Sequence, residues 1–322
     1  MASRDIGTLR DRARAGDAGA LTLLGKRLLT GDGVAASPAE AITCLAQASR
    51  RGAGEATALC ALLAGWGVLQ ARNMDQALDL LQRAAEQGYE PSQRELRFLA
   101  RGAGEDWTGL RRQVDVRRWC DAPPARIVSE SPRIGIIEGF ASAEECDWLI
   151  ERGRRNLRRA RVYRHDAPGH AEVANRTNSE ADYTIFQADL VLRLVRDRIG
   201  RSLGIDDRYF EVTKLLHYEP GQHFGLHGDF QEPATPALAR EIGRHGQRVM
   251  TFLAYLNDDY AGGETDFPRI AFRFKGRRGD ALHFTSADPD GAPDYRTVHA
   301  GLPPASGVKW LLSQWIRNRP VG

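Results

Sequence analysis

Along the first hundred residues, small and apolar side chains recur at helical spacing, and the whole pattern then repeats. Segments 13–52 and 49–88 share it at a period of about 36 residues. Gly16 aligns with Gly52, and Gly52 with Gly88; Ala41, Leu45 and Ala48 align with Ala77, Leu81 and Ala84. The turn TGDGV at 30–34 matches AGWGV at 64–68 after a two-residue shift absorbed in the loops. Alanine and leucine on one face, with glycine after the last turn, describe short helices that pack closely and stop at glycine. A period of this length predicts stacked helix pairs, a solenoid in which each pair buries its apolar face against the next.

From Arg133 the period changes. Residues 134–137 form a short apolar strand candidate, and Ser142 with Glu145 makes a capping box that opens a helix to about 156. A second helix is expected at 183–199, with Ile185, Leu190, Leu194 and Ile199 on one side. Short strands are expected at 210–217, 223–224, 249–256, 271–274, 281–284, 298–300 and 310–316, punctuated by Gly, Pro, Asn and Asp. Helices followed by many short strands predict helices packed on a double-sheet jelly roll. The stretch 101–132 holds two helix-like turns and then Pro123, Pro124 and Pro132. The fold class expected is therefore multi-domain. An all-α helical repeat domain at 1–104 and a connector at 105–126 precede an α+β double-stranded β-helix domain at 127–322.

Composition narrows the function classes. A chain of 322 residues suits two cores. The net charge of +3, with basic residues spread along the chain, argues against a nucleic-acid partner. Of 45 basic residues only Lys26, Lys214, Lys275 and Lys309 are lysines. The amino terminus carries charges throughout and does not read as a secretory signal. No run approaches the roughly 18 apolar residues that a membrane span needs. Cys44, Cys60, Cys120 and Cys146 lie far apart and form no CxxC pair, which suits a reduced, cytoplasmic protein.

Candidate chemistry appears in HFGLHGDF at 223–230. His227 and Asp229 are two residues apart, so on an extended segment both side chains face the same way. His299 lies on a separate strand candidate. Two imidazoles and one carboxylate on one face of an ion make the arrangement of non-haem Fe(II) oxygenases, with three positions left open. An HxD with a distant histidine is weak by itself; the flanking residues decide.

Those flanking residues resemble the prolyl 4-hydroxylase type of 2-oxoglutarate/Fe(II) dioxygenases, from about 133 to 319. The resemblance rests on an ordered series: Arg176-Thr177-Asn178; Tyr218 with Gly221-Gln222 before the HxD; Arg248, Thr251 and Tyr255-Leu256-Asn257; GGETDFP at 262–268; and His299-Ala300-Gly301, Lys309-Trp310 and Trp315. It implies that His227, Asp229 and His299 are the iron ligands and catalytic centre. It implies that Lys309 holds the distal carboxylate of 2-oxoglutarate, with Tyr218 and Thr265 as hydroxyl donors to the same cosubstrate and Trp315 lining the pocket. Arg176 and Arg248 are the candidates for substrate contact. Iron(II), 2-oxoglutarate, dioxygen and the reductant ascorbate are the implied cofactors. Retention of Asp229, where related halogenases carry a small residue, favours hydroxylation. The family motif GQxYxPHxD is altered here: Phe224 stands for tyrosine, Leu226 for proline and Gly228 for a bulkier residue. The first change removes a hydroxyl from the substrate wall, and the last is expected to open space beside the metal.

The repeated segment resembles Sel1-like repeats, relatives of the tetratricopeptide repeat, over about 13–100. That resemblance implies a surface that binds a protein or peptide, here one that presents the substrate; the alternative is that these helices only cap or steady the second domain. Two other classes compete: a repeat scaffold carrying a sensor or inactive jelly roll, and a zinc hydrolase using the same triad. Intact His227, Asp229, His299 and Lys309 count against the first; Lys309 and Tyr218 count against the second, since a hydrolase needs no clamp for a keto acid.

Overall fold

The computed structural model describes residues 2–163 and 170–321. The chain divides into two compact units, 1–119 with 189–195, and 120–188 with 196–322.

The first unit is built from the repeated helices. Ala18–Thr30 pairs with Pro38–Arg50, and Gly54–Trp66 pairs with Met74–Glu86, all four being 13 residues long. Ala2–Arg14 precedes them and Glu90–Ala100 follows. The repeat marks explain the packing. Ala41, Leu45, Ala48, Ala77, Leu81 and Ala84 are all essentially fully buried. A Cβ on Gly25 would stand 2.7 Å from Cγ of Leu45, so glycine is what allows those two helices to approach. Gly16, Gly52 and Gly88 all have φ near +80°, the left-handed turn conformation that glycine adopts freely. The loop alignment needs revision. The left-handed caps of the two equivalent helices are Gly31 and Gly67, which lie 67 − 31 = 36 residues apart, so the repeat runs through the loop without a shift.

The second unit has two main sheets and two small two-stranded ones among the described residues. The larger is antiparallel with eight strands in the spatial order Arg126–Glu130, Arg133–Ile137, Ala281–Thr285, Arg248–Tyr255, Lys309–Arg317, Lys214–Tyr218, Ser179–Asp182 and Arg158–Arg159. The smaller has four: Phe272–Phe274, Thr265–Phe267, His299–Gly301 and Phe224–His227. Alternation along the strands sends Ile134, Ile136, Leu216, Leu253, Leu282, Phe284 and Leu311 of the large sheet into one apolar core with Phe267 of the small one. The Ala143–Arg154 helix opens with the full capping box of Ser142 and Glu145. The helix expected from 183 starts instead at Leu190. Asp189 accepts a hydrogen bond from the Leu192 amide and caps it, while the Tyr183 hydroxyl donates to the Leu149 carbonyl. No helix among the described residues is long and apolar enough to cross a membrane.

Candidate functional site

The strands Phe224–His227 and His299–Gly301 pair antiparallel, with His227 directly opposite His299. This register brings two stretches far apart in sequence to ring centroids 4.3 Å apart. Asp229 follows just past the strand end. Its carboxylate lies 3.6 Å from Nε2 of His227 and 3.8 Å from Nε2 of His299. One ligand atom from each of the three falls within 4.8 Å of the others, the single such group of His, Cys, Asp and Glu among the described residues.

Hydrogen bonds orient the three side chains. Nδ1 of His227 lies 2.8 Å from the Gly225 carbonyl oxygen, and Nδ1 of His299 lies 3.0 Å from that of Thr297. A carbonyl only accepts, so each Nδ1 carries the proton and each Nε2 keeps its lone pair for the interior. The Thr251 hydroxyl donates to Oδ2 of Asp229 at 2.6 Å. Burial, followed by the neighbouring His299, pushes the His227 pKa down to about 3. Burial acts to raise the pKa of Asp229, but the two imidazoles and the Thr251 hydroxyl outweigh it and hold that pKa below the usual value. The site therefore offers neutral imidazole and ionised carboxylate, the protonation states that a divalent metal binds.

The same pocket has an empty volume of about 420 Å³ with its open mouth included. Alternate residues of the Lys309–Arg317 strand line it: Lys309, Leu311, Ser313 and Trp315. At about 3.3 Å per residue the two ends of that row stand roughly 20 Å apart. Lys309 is fully buried opposite Tyr218 in the strand register, and its Nζ donates to the Gly263 carbonyl at 2.7 Å. Burial pulls its pKa down to about 7. Thr265 lines the pocket too, its hydroxyl 2.8 Å from that of Tyr255. Gly263 has φ +74°, and a Cβ there would stand 2.8 Å from the Tyr260 ring, so glycine sets the carbonyl that Lys309 meets.

Of the two arginine candidates, Arg176 lines the pocket, paired at 2.9 Å with buried Glu180 and 4.5 Å from the Phe224 ring. Arg248 does not line it. Its guanidinium forms a two-pronged pair with Glu211 at 2.7 and 2.8 Å and lies 3.8 Å over the Trp315 ring. Trp315 Nε1 is buried and has no hydrogen-bond partner among the described residues.

Two expectations about the altered motif change. Phe224 stacks on His227 at 3.4 Å with the rings nearly parallel, so its ring braces an imidazole as well as forming wall. The space expected at Gly228 is filled: a Cβ there would come within 2.5 Å of the Phe230 ring. Thr251 and Tyr255 stand in the motif series without an assigned role; in the structure Thr251 lines the pocket and Tyr255 meets Thr265. Their signal was strand alternation, because Thr251, Leu253 and Tyr255 share one face of a strand.

Residues 213–317 match the model of the 2OG-Fe(II) oxygenase superfamily, and residues 18–52 and 55–89 match that of the Sel1 repeat. Prolyl 4-hydroxylase 1 of Arabidopsis thaliana is 32% identical over 235 residues, covering 64% of this chain and 79% of the relative. Probable prolyl 4-hydroxylase 9 of the same plant is 31% identical over 214 residues, covering 61% and 72%. Among solved structures, the 2OG complex of a viral collagen prolyl hydroxylase from Paramecium bursaria Chlorella virus-1 is 27% identical, covering 59% of this chain and 98% of that one, with a TM-score of 0.45. The chain belongs to the prolyl 4-hydroxylase family of 2OG-Fe(II) oxygenases and carries Sel1 repeats ahead of its oxygenase region.

Proposed function

We propose that the chain hydroxylates a proline side chain of a peptide or protein, using iron(II), dioxygen and 2-oxoglutarate, which leaves as succinate. The observation that carries this reading is the cross-strand pair His227 and His299 with Asp229 between their Nε2 atoms, in one pocket with buried Lys309. The donor set fits the metal. Two imidazole nitrogens and one carboxylate suit a ferrous ion with open positions; a catalytic zinc can take the same three ligands, and Lys309 with Tyr218 in the same pocket is what favours the keto-acid oxygenase over a hydrolase. When bound there, iron(II) supplies the redox centre at which decarboxylation of 2-oxoglutarate is coupled to placing one oxygen atom on carbon.

The chain's own residues do the binding and orienting. His227, Asp229 and His299 hold the metal. Lys309 meets the far carboxylate of 2-oxoglutarate as an ammonium in a dry setting, where a point charge acts most strongly. Tyr218 and Thr265 offer hydroxyls to the same carboxylate. Tyr218 stays a donor throughout, since burial pushes its pKa up to about 12. Trp315 and Arg176 lie along the remaining wall, where the substrate side chain enters; Arg248 backs Trp315. The two facing sheets support the jelly-roll reading of this domain. Ascorbate serves as the reductant that keeps the metal ferrous. The repeats present the protein or peptide substrate. Four free cysteines support a reduced, cytoplasmic setting.

Purified protein supplied with Fe(II), 2-oxoglutarate and oxygen is expected to release succinate, and more when proline-containing peptides are added. Mass spectrometry should find oxygen on proline. Succinate without any hydroxyproline across a peptide library would remove proline as the target; no succinate under any condition would leave the repeat-scaffold alternative.

A further inference from the structure

His227 and His299 take their orientation from main-chain carbonyls, which no side-chain substitution removes. Asp229 differs. Its carboxylate accepts a hydrogen bond from a side chain, the Thr251 hydroxyl, at 2.6 Å. Thr251 is itself almost wholly buried, held mid-strand in Arg248–Tyr255 with Trp315 opposite on one side and Phe284 on the other. Flanked in this way, a β-branched side chain has little rotameric freedom, so its hydroxyl is a fixed donor. The carboxylate it meets is buried, which makes a hydrogen bond to it costly to leave unmade.

We propose that Thr251 is the positioning residue for Asp229, fixing the plane in which its carboxylate faces the two Nε2 atoms. This rests on the metal-ligand reading above. Thr251 touches neither metal nor substrate; it acts through Asp229 by restricting rotation about the Cβ–Cγ bond. Partners of this kind, one step removed from a metal, typically govern ten- to hundredfold in affinity.

The test needs no turnover. Metal-free full-length protein is titrated with Co(II), and binding is followed by the visible absorption of the metal. Thr251→Val keeps shape and branching but removes the donor, and is expected to weaken the Co(II) Kd by roughly ten- to hundredfold. Thr251→Ser keeps the hydroxyl and is expected to stay near wild type. If the valine variant does not fold, Thr251→Ala is read the same way. Equal Co(II) affinity in wild type and Thr251→Val overturns the inference. So does an equal loss in the serine and valine variants, which would trace the effect to packing of the methyl group. His227→Ala separates the two levels. If His227→Ala loses Co(II) while Thr251→Val does not, only the positioning role fails. If His227→Ala also binds normally, the metal site itself was misassigned.

Discussion

Lys309 is fully buried, with the Gly263 carbonyl as its hydrogen-bond partner and Glu264 as the acidic group that favours its charge. Burial dominates and pulls its pKa to about 7. The charged form is therefore marginal at neutral pH until a carboxylate arrives, and an arriving dicarboxylate raises the pKa again. Binding of 2-oxoglutarate then takes up a proton whenever the free lysine is neutral. The sign follows: apparent affinity should be flat below pH 7 and fall about tenfold per pH unit above it, until the pKa of the bound lysine is reached. Calorimetry in two buffers of different ionisation enthalpy checks this, and binding that strengthens with pH would refute it. Lys309→Ala should raise the KM for 2-oxoglutarate at least about thirtyfold, the equivalent of about 2 kcal/mol. At this scale the sequence was informative wherever a motif was ordered. His227, Asp229, His299, Lys309, Tyr218, Thr265, Trp315 and Arg176 meet in one pocket, and Arg248 lies just behind Trp315. What motifs could not convey was contact between side chains: Phe224 lying on His227, or Phe230 folding back over Gly228. Both depend on where a loop turns.

Elements were legible where one period ruled. The repeat helices show this, since every mark at the 36-residue spacing became a buried contact or a left-handed turn. Leu45 is wholly buried and sits against Gly25. Leu45→Ala should cost about 2–5 kcal/mol, read as a lower melting temperature of the repeat unit. Gly25→Val should also destabilise it, because the added side chain meets Leu45 at less than contact distance. A Leu45→Ala melt that overlays wild type would show that this interface is not tight. Elements carrying mixed signals were harder to read. Residues 183–189 have helical apolar spacing but lie ahead of the helix, because the Asp189 side chain caps the backbone at that point. The strand Thr265–Phe267 is too short to show a period, whereas the helix Pro236–His245 carries a legible start in Thr235, which caps it ahead of a proline in its first turn.

For the whole molecule, the sequence conveyed a helical repeat unit followed by a sheet-rich oxygenase unit, because each has its own periodicity. Strand order was beyond it. The eight-stranded sheet sets Lys309–Arg317 between Arg248–Tyr255 and Lys214–Tyr218, a non-local arrangement that no local pattern encodes. Function at this scale divides between the units. Deleting residues 1–104 should leave Co(II) and 2-oxoglutarate binding unchanged and lower turnover on a protein substrate, while turnover on a short peptide is kept. Equal turnover on the protein substrate with and without the repeats would show that they do not present it. One ferrous ion is held, on this reading, by three side chains from two stretches far apart in sequence. Crystals loaded with Fe(II) under anaerobic conditions and measured at the iron absorption edge test it most directly. A single anomalous peak is expected within bonding distance, about 2.0–2.2 Å, of Nε2 of His227, the Asp229 carboxylate and Nε2 of His299. A peak elsewhere, or none at this site with iron bound in solution, would contradict it.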